Sequence, residues 1–307
     1  MGSTTRPPQG GLRLAPAFAS AFLGLLALAP AFAAPDSKRS TPTATCDLET
    51  VASGTVASVT DGRTFVLDGG REARLPAVEI PALPAPPAPA PADSAASTAS
   101  AAPDPPDPPP PDPDQAAAAA LRDLLAGRHV ALRASKLVTD RYGRILADAL
   151  ATREGYPASA QKTLLSQGLA RLTARPGEPG CMAELRAAER IGRAAKLGLW
   201  ADPRYLPHKA ENVAELSAER GRFTLVEGKV VSVRESGGTI YVNFGRRWSE
   251  DFTVTISKRN ERQFIEAGLR PSGLSGRRVM VRGWIEERGG PWIEAAGPEQ
   301  IEIIAEK

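Results

Sequence analysis

A proline- and alanine-rich tract interrupts this chain and constrains its fold more than any other feature. Residues 83–114 contain no aromatic residue and no Ile, Val, Lys or Arg. Such a segment cannot bury enough apolar area to offset the entropy lost on ordering. It predicts a disordered, partly polyproline insertion that acts as a spacer, with a protein-binding role as the alternative. The packed structure must therefore come from the residues on either side.

The first 33 residues have the pattern of a secretory signal peptide. Arg6 and Arg13 precede an apolar run at residues 15–29, and Ala31-Phe32-Ala33 is a small-x-small cleavage site. The run is shorter than the roughly 20 residues of a spanning helix, which favours a cleaved signal over a membrane anchor. We expect an exported protein without a membrane span, located in the periplasm or outside the cell.

The chain has two cysteines, Cys46 and Cys181. An oxidising compartment would join them in a disulfide, the alternative being two unpaired thiols. Neither His129 nor His208 stands at metal-ligand spacing from a cysteine, which argues against a zinc-type site. The formal net charge of +3 is mildly basic and excludes a histone-like DNA-coating protein.

Outside the tract, the predicted strands and helices follow the same order in two successive parts of the chain. Asp61-Gly62 is a tight-turn signal within a predicted three-stranded meander that ends near residue 77. We then expect a helix at 116–126 with Asp114 as its N-cap, strands at 129–135 and 145–150, and helices at 158–167 and 184–195. Three strands, a helix and two strands is the order of an OB barrel, a fold that often binds strands of nucleic acid.

The C-terminal part follows a charged connector at residues 201–220. Its predicted elements are strands at 223–233, 239–244 and 252–256, a helix at 260–267, and paired strands at 277–285 and 291–295. The fold class that we predict is therefore mainly β with α (α+β), with two OB-like barrels. The expected domains are residues 46–203, which include the insertion, and residues 221–305.

Several motifs of the first part occur together in one known family. They are Asp61-Gly62-x-Thr64, Arg74-Leu75 before Pro81, Asp140-Arg141-Tyr142-Gly143-Arg144, Leu164-Leu165-x-x-Gly168-Leu169-Ala170, and Glu189 upstream of Gly198-Leu199-Trp200. With them, residues 54–200, the insertion excepted, resemble the staphylococcal nuclease (thermonuclease) family. The resemblance implies Ca²⁺-dependent cleavage of phosphodiester bonds in DNA and RNA, in which two carboxylates hold the metal, a Glu activates water and two Arg neutralise the phosphate.

The resemblance assigns roles to individual residues. Arg74 and Arg144 match the two phosphate-binding arginines, and Asp61 and Glu79 are the candidate Ca²⁺ ligands, Glu79 also being a catalytic candidate. The family motif Asp-Gly-Asp-Thr has Arg63 in place of its second carboxylate here. The family motif Asp-x-Pro-Glu reads Glu79-Ile80-Pro81-Ala82, so an alanine that cannot act as a base stands where the catalytic Glu is expected.

These departures predict weak or absent metal-dependent cleavage. Arg63 is expected to repel Ca²⁺ and to pair with Glu79, while Arg63, Arg74 and Arg144 remain suited to binding phosphate, since a guanidinium presents a planar fork of donors. The alternative is that these arginines form ordinary rim salt bridges. We interpret Asp140 as a turn residue and Glu189 as a brace between helix and barrel rather than as a catalyst.

The second part combines aromatic residues with cations. Trp248 stands beside Arg246 and Arg247 in a predicted loop, an arrangement that suits stacking and phosphate contacts with unpaired bases. The other aromatic residues belong either to a binding face or to the core, and the core is favoured for Tyr241 and Phe252 inside strands. The remaining residues of this mixed set are Phe244, Trp284, Trp292, Lys258, Arg259, Arg262, Arg277, Arg278 and Arg282.

Three functional hypotheses follow. The first is an exported member of this family that binds single-stranded DNA or RNA, or another phosphate-rich ligand, with a degraded catalytic site. The second is an active Ca²⁺-dependent phosphodiesterase that uses Asp61 and Glu79. The third is a module that binds a partner protein in the cell envelope.

Overall fold

The structure is a computed structural model that describes residues 1–2, 46–82, 112–153, 155–174, 179–247 and 249–304. The chain divides into a unit of residues 1–42 and a compact unit of residues 43–307, and all elements below belong to the second unit. The predicted signal peptide and most of the predicted insertion lie outside the described residues. No helix in the described ranges is long and apolar enough to span a membrane.

The N-terminal half, defined as the described residues from Cys46 to Tyr205, is a mixed α/β structure. Its strands are β1 (Glu49–Asp61), β2 (Thr64–Leu67), β3 (Glu72–Arg74), β4 (Val78–Glu79), β5 (His129–Ala134), β6 (Ile145–Leu146), β7 (Asp148–Arg153), β8 (Tyr156–Ser159) and β9 (Arg171–Leu172). Its helices are α1 (Pro113–Leu125), α2 (Ala160–Ser166) and α3 (Met182–Ala194).

Seven of these strands form one sheet in the order β6-β3-β2-β1-β5-β7-β8. The predicted meander is confirmed, because β1 pairs with β2 and β2 with β3 in antiparallel fashion. Strand β3 pairs in parallel with β6, and only Ala147 separates β6 from β7. A separate two-stranded sheet pairs β4 with β9 and places Glu79 opposite Arg171.

Helix α1 begins three residues earlier than predicted, and its N-cap is a different aspartate. Asp112 caps the helix by accepting a hydrogen bond from the backbone N–H of Asp114, and Pro113 occupies the first helical turn. Asp114 instead accepts a 3.0 Å hydrogen bond from the N–H of Gly62, fifty-two residues earlier. The first turn of α1 is therefore joined to the hairpin at the end of β1.

The C-terminal half, defined as the described residues from His208 onward, consists mostly of strands. They are β10 (His208–Lys209), β11 (Phe223–Lys229), β12 (Ser232–Ser236), β13 (Thr239–Asn243), β14 (Thr253–Ser257), β15 (Arg278–Trp284), β16 (Glu286–Arg288), β17 (Gly290–Glu294) and β18 (Ile301–Ile303). The helices are α4 (Val213–Ala218) and α5 (Glu261–Glu266). The connector predicted at 201–220 thus contains β10 and α4.

The strands of the C-terminal half form a four-stranded sheet, β10-β11-β15-β18, and a five-stranded sheet, β12-β13-β14-β17-β16. A short break at Val230-Val231 separates β11 from β12, so the predicted long strand at 223–233 contributes to both sheets. Ile285 likewise separates β15 from β16, which belong to different sheets. Residues 291–295 were predicted to pair with the strand at 277–285, and this pairing was wrong. Strand β17 pairs with β16 and, in parallel, with β14.

Each half has its own hydrophobic core, and the two halves share a third cluster. Phe65 and Leu132 are fully buried in the first core, as are Phe252 and Phe264 in the second. Between them, Trp200 of the N-terminal half packs with Leu225 and Met280 of the C-terminal half. Burial of this apolar surface favours a fixed arrangement of the two halves.

A disulfide joins Cys46, just before β1, to Cys181, just before α3, across a sequence separation of 135 residues. Cys181 is buried against the first core. The bond therefore fixes the start of the sheet to the last helix of the N-terminal half.

Candidate functional site

The turn between β1 and β2 is the starting point of the site. The carboxylate of Asp61 accepts a 2.8 Å hydrogen bond from the backbone N–H of Arg63, which closes the turn. Gly62 is required there because a Cβ would lie 2.3 Å from the side chain of Ile80 and 2.7 Å from that of Ala117. This close packing fixes the direction in which Arg63 leaves the sheet.

Arg63 forms an ion pair with Glu79 on β4. Its Nη1 lies 2.5 Å from Oε2 of Glu79 and 3.2 Å from the carbonyl oxygen of Val78. Both side chains are largely buried, with 25% and 17% of their surfaces exposed. The pair removes one carboxylate from the set that a cation would need.

Arg74 on β3 lies beside the same turn. Its Nη1 donates a 2.8 Å hydrogen bond to Oγ1 of Thr64 and lies 3.7 Å from Oδ2 of Asp61. Burial lowers the pKa of Arg74, and the positive charges of Arg63 and Arg144 lower it further, whereas Asp61 raises it. Arg63 and Arg144 are thus close enough to Arg74 for their charges to disfavour its own, and the three residues are hereafter called the arginine cluster.

Arg144 is held by the turn that precedes β6. Asp140 accepts hydrogen bonds from the backbone N–H groups of Tyr142 (2.9 Å) and Arg144 (3.1 Å), and its second oxygen lies 2.7 Å from both Nε and Nη2 of Arg144. The guanidinium also lies over the ring of Tyr142, 5.0 Å from its centroid. Burial raises the pKa of Asp140, but these hydrogen bonds outweigh burial and lower it. Asp140 is a turn residue that orients Arg144.

Glu189 lies far from solvent, in α3 (Met182–Ala194). It receives two hydrogen bonds from Arg282 of β15, at 3.0 and 2.9 Å, and one of 2.7 Å from the backbone N–H of Leu172. Glu189 therefore joins α3 to the C-terminal half of the molecule, to which Arg282 belongs. Arg282, which the sequence placed in the mixed set of aromatic residues and cations, is completely buried.

A cleft of about 360 Å³, hereafter the central cleft, opens beside the Arg63–Glu79 pair and is bordered by both halves. Its N-terminal wall includes Pro81 and Ala82. Its C-terminal wall includes Arg222, Phe223 and Trp284. Its lining side chains carry more positive than negative charges, because four arginines and two glutamates border it: Arg63, Arg171, Arg204, Arg222, Glu79 and Glu219. Two of these arginines have carboxylate partners nearby, Arg204 with Asp202 and Arg222 with Glu219 at 3.8 Å.

Arg171 and Tyr205 form the buried floor of the central cleft, each with only 5% of its surface exposed. Arg171 donates a hydrogen bond to the carbonyl oxygen of Tyr205. Its Nε and the hydroxyl of Tyr205 are buried without a hydrogen-bond partner among the described residues. Burial lowers the pKa of Arg171 to about 10, and Glu189 opposes this shift.

Trp284 is the large exposed aromatic residue of the C-terminal wall, with 54% of its surface exposed. It ends β15, opposite Phe223 on β11, and the two rings meet at an interplanar angle of 69° with centroids 6.2 Å apart. Leu206, also exposed, borders the same cleft. The sequence offered Trp284 only as one member of a larger aromatic set, with nothing to distinguish it.

The other sequence-predicted contacts lie elsewhere. Arg246 and Arg247 are exposed and do not border the central cleft, and Arg247 pairs with Glu250 at 3.1 Å. Trp248 lies outside the described residues. Phe244, Phe252 and Trp292 are buried and belong to the interior, as does the guanidinium of Arg282.

Residues 114–202 match the family model described as staphylococcal nuclease homologue. A search of curated proteins found no match. The matched residues include Arg144 and Glu189, whereas Asp61, Arg63, Arg74 and Glu79 precede the matched range. The pairings in this half are consistent with the OB-like fold of the family.

The family is generally Ca²⁺-dependent, and the donor set here does not fit such an ion. Ca²⁺ takes six to eight oxygen ligands. The carboxylate of Glu79 is paired with Arg63, and that of Asp61 lies beside Arg74 and accepts from the backbone. Within the described ranges, His, Cys, Asp and Glu do not gather in threes as a possible metal site.

Proposed function

We propose that this protein is an exported nucleic-acid-binding member of the staphylococcal nuclease family whose Ca²⁺-dependent cleavage is weak or lost. The observation that carries the proposal is the 2.5 Å ion pair between Arg63 and Glu79. It occupies a carboxylate that a metal would require, and the N–H groups of Arg74 and Arg144 that are not engaged by Thr64 and Asp140 remain for an anion. Ala82, at the edge of the central cleft, has no group that could take a proton from water.

Phosphate binding by the arginine cluster follows from charge. Arg74 is partly desolvated, and its pKa is lowered by burial and by Arg63 and Arg144. A phosphodiester brought among these guanidinium groups relieves their mutual repulsion and accepts charge-assisted hydrogen bonds. Because such contacts release counterions from the polynucleotide, binding should weaken steeply with salt.

The C-terminal half supports the same function through its architecture. Strands β11 and β12 together pair with β13 and β15, and β14 pairs in parallel with β17. With α5 between β14 and β15, this order and pairing supports an OB-like barrel, a fold that often binds single strands. We infer a second OB-like domain at residues 221–305. The disulfide between Cys46 and Cys181 supports export, since such bonds persist in oxidising compartments.

The proposal is tested with the chain from residue 34 onward and fluorescent single-stranded DNA, in Ca²⁺ or in chelator. We expect a salt-sensitive complex in both buffers and no cleavage. Arg144→Ala should weaken the complex, whereas Arg262→Ala, which removes a highly exposed arginine paired with Glu266, should not.

Two results would contradict the proposal. Calcium-dependent cutting that Arg144→Ala abolishes would establish the active phosphodiesterase. A protein that folds but binds neither DNA nor RNA at low salt would favour the partner-protein module.

A further inference from the structure

We propose that the central cleft is the path of a single-stranded polynucleotide, with one base stacked on Trp284 and adjacent phosphates held by Arg222 and the arginines of the opposite wall. This inference deepens the proposed function and rests on it. It adds a second contact region, contributed by the C-terminal half, to the arginine cluster of the N-terminal half.

The two walls of the central cleft are chemically complementary to a single strand. Single-strand-binding proteins combine a positive groove along the backbone with aromatic side chains on which bases stack. Here Arg63 borders one wall and Arg222 the other, with Trp284 beside the latter. The backbone N–H of Leu75 donates a 2.9 Å hydrogen bond to the carbonyl oxygen of Arg63, which brings Arg74 next to Arg63. A strand leaving the cleft past Arg63 would therefore reach the arginine cluster.

Trp284 has the properties of a stacking platform. More than half of its surface is exposed, although its position is fixed by β15 and by the edge of Phe223. An exposed indole held in place loses little conformational entropy when a base stacks on it. Trp200 and Trp292, in contrast, are buried and unable to take this role.

Two residues of the cleft floor, Arg171 and Tyr205, contain buried polar atoms. The Tyr205 hydroxyl and Nε of Arg171 are both buried and lack a partner within the described part of the chain. Buried polar atoms normally have hydrogen-bond partners, so such orphaned groups require an explanation. Both are donors, so a shift of the floor side chains that uncovers them would let them bind phosphate or carbonyl oxygens of a nucleotide.

The accessibility of the base faces decides whether a single strand or a duplex can occupy the central cleft. A base stacks on Trp284 only if its face is free, and the faces of bases within a duplex are covered by their neighbours. The cleft should therefore bind an unpaired strand and discriminate against a duplex of the same length.

The test is a titration of intrinsic tryptophan fluorescence with a 12-nucleotide oligothymidylate and, separately, with its duplex. We expect quenching by the single strand and much weaker binding of the duplex. Trp284→Leu should remove most of the quenching and weaken binding roughly 5- to 150-fold, the range for loss of one stacked base. Trp284→Phe should retain most of the affinity. Ile265→Ala, an exposed apolar position outside the cleft, is the matched control.

The outcomes separate this inference from the proposed function. If Trp284→Leu melts like the unmodified chain and binds with unchanged affinity, while Arg144→Ala weakens binding, the central-cleft path is wrong and the proposed function stands. If the duplex binds as tightly as the single strand, the assigned occupant is wrong. If neither oligonucleotide binds at low salt, both proposals fail.

Discussion

The carboxylate of Glu189 in α3 and the guanidinium of Arg282 in β15 form a fully buried, doubly hydrogen-bonded ion pair that joins the two halves of the molecule. Glu302 lies 3.6 Å from the same guanidinium and also pairs with Arg193 at 3.0 Å. A pair buried to this extent is intolerant of losing one member, because the other remains an uncompensated charge.

Removal of one partner should therefore destabilise the protein strongly. Arg282→Met is expected to lower the free energy of unfolding by about 3–5 kcal/mol. The double substitution Arg282→Met with Glu189→Gln should recover part of the loss, since the buried negative charge is then gone. Urea denaturation measures both, with Arg262→Met as the surface control. An effect of Arg282→Met no larger than that of the control would contradict the burial of the pair.

The same pair predicts a dependence of stability on pH. Burial raises the pKa of Glu189, but Arg282 outweighs it, and the pKa lies below its usual 4.5. A carboxylate with a depressed pKa in the folded state contributes stability above its unfolded pKa and loses it as the pH falls through the folded value. The stability difference between the unmodified chain and Glu189→Gln should be constant above about pH 5.5 and shrink below about pH 4.5. A difference that grows on acidification would be the opposite result.

Reduction of the disulfide should also lower stability. The bond closes a loop of 135 residues and thereby lowers the conformational entropy of the unfolded chain. On the chain-entropy model it stabilises the folded protein by at most about 5 kcal/mol. We expect the double substitution Cys46→Ser with Cys181→Ser to lower the unfolding midpoint in urea. Dithiothreitol should lower the midpoint of the unmodified chain to the same extent and leave that of the double variant unchanged. An unchanged midpoint after verified reduction would show that the bond contributes nothing.

The arginine cluster should be visible in the salt dependence of binding. Each phosphate contact to a single strand contributes about 0.7 to the slope of log affinity against log salt. Arg74→Ala and Arg144→Ala should each reduce the slope by about this amount, whereas Arg262→Ala leaves it unchanged. Fluorescence anisotropy across a salt series gives the slopes. Unaltered slopes in both variants would mean that these guanidinium groups do not contact phosphate.

Restoring the family motifs should restore chemistry. Arg63→Asp frees Glu79 and adds an oxygen ligand, while Ala82→Glu supplies a carboxylate where the resemblance places the base. We expect the double variant to cleave single-stranded DNA in Ca²⁺ at least about 100-fold faster than the unmodified chain, the lower range for general acid–base catalysis. Adding Arg144→Ala should abolish the gain. A double variant that binds Ca²⁺ by calorimetry but does not cleave would show that other parts of the site have also been lost.

Local features of the site could be predicted because short-range chemistry sets them. Asp61-Gly62 forms its turn through a side-chain hydrogen bond to Arg63, two residues from Asp61. Asp140 closes another turn onto Arg144, four residues away. The three strands at 49–74 likewise follow from turn signals and alternating burial, and the pairing of Arg63 with Glu79 follows from opposite charges at adjoining strand ends.

Other features depended on contacts between distant residues. Asp114 was predicted as a helix cap, but the structure uses it to hold Gly62, and Asp112 takes the cap. Helix-capping propensity cannot show which of two aspartates, two residues apart, will cap the helix when one of them has a tertiary partner.

The sequence by itself determined the turns, most strand and helix positions, and the residue types at the arginine cluster, because these depend on neighbours a few residues apart. Only the tertiary structure decided that Arg282 is buried while Trp284, two residues later, is exposed in the cleft that Arg63 also borders. Alternate residues of a strand point to the same face and can still differ in exposure, and here Glu189 of α3 packs on Arg282. Such coverage arises from residues more than ninety positions away, as between Glu189 and Arg282, and local sequence carries no signal of it.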